Sequence, residues 1–228
     1  EKTFNCDDIR PNLESCAGNV INTEVIGIRL RVIDACGNVS GFCTTALTLI
    51  DNILPTIDCP NDTLMLLTSD KDGYDCQVNA TWPHPDVDDN CTIACYEMEV
   101  QKEINGVFVT IDPATGAPTP FYRVDVLGVA EADYMFEKGP YCNADQIDDM
   151  YKVIYYVRDE HGNSLAAPCV LDILVKDDEA PIFTSCPDAP IVAQTTTGDC
   201  YQFKCWAPPT FYDNCQFPFF GEGSGYCP

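Results

Sequence analysis

Histidine, basic side chains and helical periodicity are what this sequence has least of. Histidine occurs only at His84 and His161. Neither has a serine or cysteine in a pattern that would make it a general base. No G-x-S-x-G, H-E-x-x-H, P-loop or G-x-G-x-x-G occurs, so the common hydrolase, metalloprotease and nucleotide-binding signatures are missing. Carboxylate pairs of the glycosidase kind carry no information in so acidic a chain, and the reading is that the protein is not an enzyme. Lys and Arg number 12 against 36 Asp and Glu, a net charge of −24. Such a chain repels the phosphates of nucleic acid and of anionic lipid, so neither is an expected partner and cations are favoured. No apolar run reaches the length of a membrane-spanning helix, which argues against membrane insertion. No leader is visible either; since a secreted protein needs one, Glu1 reads as a processed or arbitrary start. Apolar residues at i, i+3, i+4 and i+7 never persist for more than about two turns.

Cysteine is abundant instead. Fifteen are spread along 228 residues, with 17 prolines and 14 glycines. Zinc would need close pairs of thiolates or imidazoles, and the short spacings are Cys91-x3-Cys95 and Cys200-x4-Cys205. A disulfide framework is the expectation, which places the protein outside the cell or on its surface. The odd count leaves a thiol that is free or paired to another chain. Asn38, Asn61 and Asn79 open N-x-S/T sequons and are the candidate glycosylation sites; Asn90 opens a fourth, with a cysteine in the middle.

The sequence also repeats itself. Cys76-QVNATW-PHPDVDDN-Cys91 and Cys200-YQFKCW-APPTFYDN-Cys215 share their spacing, with Trp82 opposite Trp206 and Asp89-Asn90 opposite Asp213-Asn214. LPTIDCP, ending at Pro60, matches APIFTSCP, ending at Pro187. Arg31 to Asn52 matches Tyr156 to Asp178, aligning Asp34 with Asp159, Gly37-Asn38 with Gly162-Asn163 and Cys43 with Cys169. The period is about 126 residues. The chain therefore reads as the C-terminal half of one domain (1–51), one complete domain (52–177), and the N-terminal half of another (178–228).

The strands alternate. Ile26, Ile28, Leu30 and Val32 interleave with Gly27, Arg29 and Arg31, and Val153, Tyr155 and Val157 repeat the pattern. Leu47 and Leu49, and likewise Leu171, Ile173 and Val175, mark the following strand. Asn105-Gly106 between VQKEI and VFVTI predicts a type I′ hairpin, an insertion near 97–130. Trp82 and Trp206 are core residues by alternation. The fold class is all-β, tandem immunoglobulin-like β-sandwiches stapled by disulfides.

The order CP … C … W-x-x-P … DNC … D-x-x-GN … C … V-x-D resembles the hyalin-repeat family of tandem extracellular modules. The resemblance covers nearly all of 52–177 and most of both flanks. It implies adhesion or matrix building without catalysis. The chain departs from the pattern at Glu160-His161, where a cysteine is common and Cys36 retains it. In a sandwich of that type the starts of the first and last strands share one end with the DNC and D-x-x-GN turns. That arrangement pairs Cys59 with Cys169, Cys91 with Cys95 and Cys76 with Cys142. For the split domain it pairs Cys43 with Cys186, Cys36 with Cys215 and Cys16 with Cys200; Cys6 is left to Cys227, and Cys205 has no assigned partner.

A half sandwich exposes a core face and an unpaired edge, both poorly tolerated in water. Two completions are open: 178–228 of one copy meets 1–51 of another copy, head to tail, or the segment is a window of a longer tandem chain. Either gives an extracellular filament. A binding module that contacts surface glycans or proteins through its loops is the alternative. No organic cofactor is expected. Calcium is the one ion considered, with Asp177, Asp178 and Glu179 at a domain junction as its candidate ligands; the simpler reading of that cluster is a solvated acidic surface.

Overall fold

The computed structural model describes residues 2–10, 16, 22–68, 76–137, 148–186, 190, 192–195, 198 and 209–215. Cys142, Cys200, Cys205, Cys227 and Trp206 lie outside them. Among the described residues the elements are strands, apart from a 3-10 turn at Cys6–Asp8. In chain order they are β1 (Thr23–Leu30), β2 (Cys43–Ile50), β3 (Thr56–Ile57), β4 (Leu64–Leu67), β5 (Gln77–Pro83), β6 (Val87–Asp88) and β7 (Ile93–Ile104). Then follow β8 (Val107–Thr110), β9 (Val124–Asp125), β10 (Glu131–Glu137), β11 (Asp148–Asp159), β12 (Cys169–Lys176), β13 (Ile182–Ser185) and β14 (Thr210–Tyr212). The chain forms two compact units. The first comprises Glu1–Thr63, Trp82–Ala132 and Tyr151–Asp172, the second Leu64–Thr81, Asp133–Met150 and Ile173–Pro228.

In the first unit β7 is the spine. It pairs antiparallel with β11, setting Tyr155 opposite Met98 and Val157 opposite Tyr96. β12 continues the sheet beyond β11, while β8 and β9 lie along the other edge of β7. The β7–β8 turn is the expected Asn105-Gly106, with φ of 54° and 79°, the left-handed pair a type I′ hairpin demands. The hairpin prolongs β7, pairing Gln101–Ile104 with Val107–Thr110. Alternation decides burial: Val153, Tyr155 and Val157 are at most 1% exposed. Each such side chain contributes about 1.5–3 kcal/mol by leaving water. Trp82 on β5 is buried as expected, and its Nε1 donates to Tyr155 Oη at 2.8 Å. His84 Nδ1 lies 3.2 Å from the same hydroxyl, so the polar tips of a buried aromatic cluster satisfy one another. The N-terminal segment contributes the β1–β2 hairpin, paired over its full length from Thr23↔Ile50 to Leu30↔Cys43.

In the second unit β4 lies parallel to the C-terminal half of β12, with Leu66 opposite Val175. Among the described residues, Leu66, Val78, Ala80, Phe136, Ile173, Val175 and Cys215 are its buried apolar side chains. β13 and β14 pair antiparallel, Phe183 opposite Phe211.

Candidate assembly site

The repeat seen in the sequence is repeated in local structure. β3 pairs with β6 (Thr56↔Asp88) as β13 pairs with β14 (Ile182↔Tyr212). The two D-x-x-GN turns are near copies. Asp34 Oδ1 accepts the amides of Cys36 (2.9 Å) and Asn38 (2.8 Å), and Oδ2 accepts Asn38 Nδ2 at 2.7 Å. Asp159 Oδ1 accepts the amides of His161 (2.9 Å) and Asn163 (2.8 Å), and Oδ2 accepts Asn163 Nδ2 at 2.7 Å. Gly37 and Gly162 have φ of +88° and +90°, which favours glycine there. Both aspartates serve as turn formers, as their sequence context suggests. These hydrogen bonds also hold Asp34 below the ordinary carboxyl range.

The copies differ in what covers them. Asp159 and His161 are fully buried, whereas Asp34 and Cys36 are exposed. Val157 is 1% exposed and its counterpart Val32 is 71% exposed. Ile173 and Val175 are fully buried, while their counterparts Leu47 and Leu49 are half-buried. Ile182 and Phe183, on β13, are 67% and 66% exposed. Val32, Ile182 and Phe183 thus stand in water although the turn and ladders beside them are formed.

Cysteine chemistry divides along the same line. Cys59 and Cys169 are joined, Cα–Cα 5.5 Å, as expected. Three other bonds correct the expected map. Cys91 is joined to Cys6 and Cys95 to Cys16, so neither reaches the other, nor Cys227 or Cys200. The chain enters β7 between Cys91 and Cys95, and four nearly extended residues span about 13 Å, beyond disulfide reach. Cys76 is joined to Cys215, which displaces both Cys76–Cys142 and Cys36–Cys215. The expected map confined bonds to single domains, yet three of the four bonds among the described residues tie residues of 1–51 or 178–228 to residues of 52–177, where cross-links over long loops restrict the unfolded chain most. Cys36, Cys43 and Cys186 are unpaired within the chain and exposed.

Two polar contacts that sequence reasoning missed hold the terminal segments. In the first unit the buried His161 donates through Nδ1 to Asp51 Oδ2 at 2.9 Å, and its Nε2 lies 3.4 Å from the Ile9 carbonyl oxygen. Burial works against ionisation of Asp51, but the bonds from His161 and from the Ile53 amide outweigh it and lower its pKa. Burial, with Asp51 alongside, pushes Asp159 upward despite the Asn163 bonds. In the second unit Asn214 Nδ2 donates to Thr68 Oγ1 at 3.2 Å, and Thr68 Oγ1 donates to Asp177 Oδ1 at 3.4 Å. The available signal was a histidine standing where the other repeat has Cys36.

The remaining candidate residues are dispersed. Asp177 accepts from Thr68 and from the Glu179 amide. Among the described residues, the His, Cys, Asp and Glu groups that converge within 4.8 Å are Cys16-Cys95-Glu97 and Asp51-Cys91-His161. Asp177, Asp178 and Glu179 form no such group, and the cysteines in both clusters are committed to disulfides. Asn38, Asn61 and Asn79 are all exposed. A cavity of about 300 Å³ in the first unit is lined by Arg123, Tyr156, Arg158 and the Cys16–Cys95 bridge, among others. Arg123 sits over the Tyr156 ring at 3.5 Å and pairs with Glu97 at 3.5 Å. Among the described residues no helix is long and apolar enough to cross a membrane. No protein-family model matches the chain, and no curated protein matches it.

Proposed function

We propose that this chain is a structural subunit or segment of an extracellular filament or surface adhesin, non-enzymatic, built from stacked hyalin-like, immunoglobulin-like β-sandwiches. In this reading 52–177 is a complete domain, and 178–228 of one copy and 1–51 of another form the two parts of the next. The observation that carries it is the contrast between the paired turns: the same D-x-x-GN geometry is buried at Asp159 and bare at Asp34. Four disulfides support an oxidising, extracellular setting. A chain that leaves Val25, Val32, Phe42, Ile182 and Phe183 in water gains hydrophobic free energy by covering them. A heterologous contact of this kind repeats without closing, which makes fibres. Electron microscopy of the purified chain, with sedimentation at rising concentration, tests it. Filaments or concentration-dependent oligomers are expected; a strict monomer at all concentrations refutes the contact between copies.

A second reading, an adhesin module for an anionic glycan, draws on the cavity beside Arg123 and Arg158. Arg158 has no carboxylate partner among the described residues; its Nη1 donates to the Cys16 carbonyl at 3.4 Å. The guanidinium of Arg158, lining the same cavity as Tyr156, suits a sugar carboxylate or sulfate. Binding to a panel of acidic glycans that is lost in Arg158→Ala would favour it, and silence across the panel would retire it.

A further inference from the structure

We propose that Val192–Gln194 of one copy adds as a parallel strand to the free edge of β2 in a second copy, and that Cys186 and Cys43 form the disulfide that closes this joint. The inference rests on the filament reading and deepens it by fixing the partner, the register and the bond.

The template is inside the chain. β12 is flanked by β11 on one edge and by the parallel β4 on the other. Its counterpart β2 has the equivalent of β11, namely β1, and among the described residues nothing on its other edge. β4 begins five residues after Cys59 and meets β12 four residues after Cys169, with Leu64 opposite Ile173 and Leu66 opposite Val175. Counting likewise from Cys186 and Cys43 places Val192 opposite Thr48, Ala193 opposite Leu49 and Gln194 opposite Ile50. Ala193 takes the inward position of Leu66, against a leucine that is now half-buried. Val192 is 65% exposed, so the donor segment is accessible. An exposed edge accepts an extended segment through main-chain hydrogen bonds.

The cysteines follow the same correspondence. Cys59–Cys169 is formed in the middle of the chain, while its repeat counterparts Cys186 and Cys43 are unpaired and exposed. Once the strand docks, the two thiols stand as Cys59 and Cys169 do. Closing the bond releases two protons and two electrons. A small-molecule disulfide such as oxidised glutathione accepts them and leaves as two thiols.

The experiment mixes equal amounts of 14N- and 15N-labelled chain under oxidised glutathione and maps cross-linked peptides without reduction. Peptides joining Cys43 to Cys186 are expected in mixed-isotope pairs. The single variants Cys43→Ser and Cys186→Ser should each fail to form this bond alone but form a covalent pair when combined. Both substitutions fall on exposed positions, so the fold is retained. Ala193→Asp should slow the cross-link about tenfold, since it forces a charge against Leu49, whereas Val192→Thr should leave it unchanged. Cys43–Cys186 peptides found only in isotopically pure form, with no mixed pairs, or equal rates for the two strand variants, overturn the proposal. Filaments in which both thiols stay open to alkylation overturn this joint but leave the filament reading standing; absence of any association sinks both.

Discussion

Removing the Cys59–Cys169 bond tests how far the middle of the chain depends on its staple. Replacing both cysteines by alanine avoids a stray thiol. The bond spans 110 residues, and a loop of that length, alone, stabilises by about 5 kcal/mol in the chain-entropy account. It does not act alone. Cys76–Cys215 already tethers the chain, leaving roughly 60 residues along the shortest remaining path, and the logarithmic dependence lowers the figure to about 4 kcal/mol. Cys169 is 2% exposed, so trimming its sulfur adds a small packing loss in the same direction. Urea unfolding read by tryptophan fluorescence measures the difference directly. A loss of about 4 kcal/mol, with a fall in Tm on the order of 10 °C, is expected. A loss below about 1 kcal/mol would show that the remaining bonds and the core already restrict the unfolded chain, and would refute the loop argument.

Asp159→Ala should cost about 3 kcal/mol, because the buried His161 amide and the half-buried Asn163 amide and Nδ2 lose their acceptor, while Asp34→Ala breaks the equivalent three bonds in water and should cost far less. Equal costs in the isolated chain would contradict the burial contrast. Trp82→Phe keeps most of the ring but deletes the donor to Tyr155, and should lower stability by about 1–2 kcal/mol in the same urea assay. Burial holds the pKa of His84 below its ordinary value. The unfolded chain therefore takes up the proton first as pH falls below about 6.5, so this contribution to stability is present above that pH and lost beneath it. His84→Gln should flatten the decline between pH 7 and 5 in chemical denaturation; an unchanged slope would show that other groups set it.

Much of the architecture is legible in residues alone. Alternation along 153–157 and 171–175 identifies β11 and β12 because a strand with one buried face must alternate, and Asn105-Gly106 identifies a hairpin because few residue pairs adopt two left-handed conformations in succession. The aspartate turns follow from local chemistry, since each carboxylate bonds amides two and four residues away. Disulfide pairing follows no such local rule. Cys91 and Cys95 are neighbours in sequence, but an extended chain carries them apart, and their partners Cys6 and Cys16 lie some eighty residues away. The Asp51–His161 contact is hidden for the same reason: it joins residues 110 apart that share no periodic pattern.

Strand content, the turns and the repeat follow from residue order alone, because all are written in spacings of a few residues or in direct self-similarity. Which copy of each repeated motif is covered, and which cysteines remain open, emerges once the chain is folded. Burial and cross-linking depend on what packs against a segment, and that partner is fixed by the folded chain as a whole.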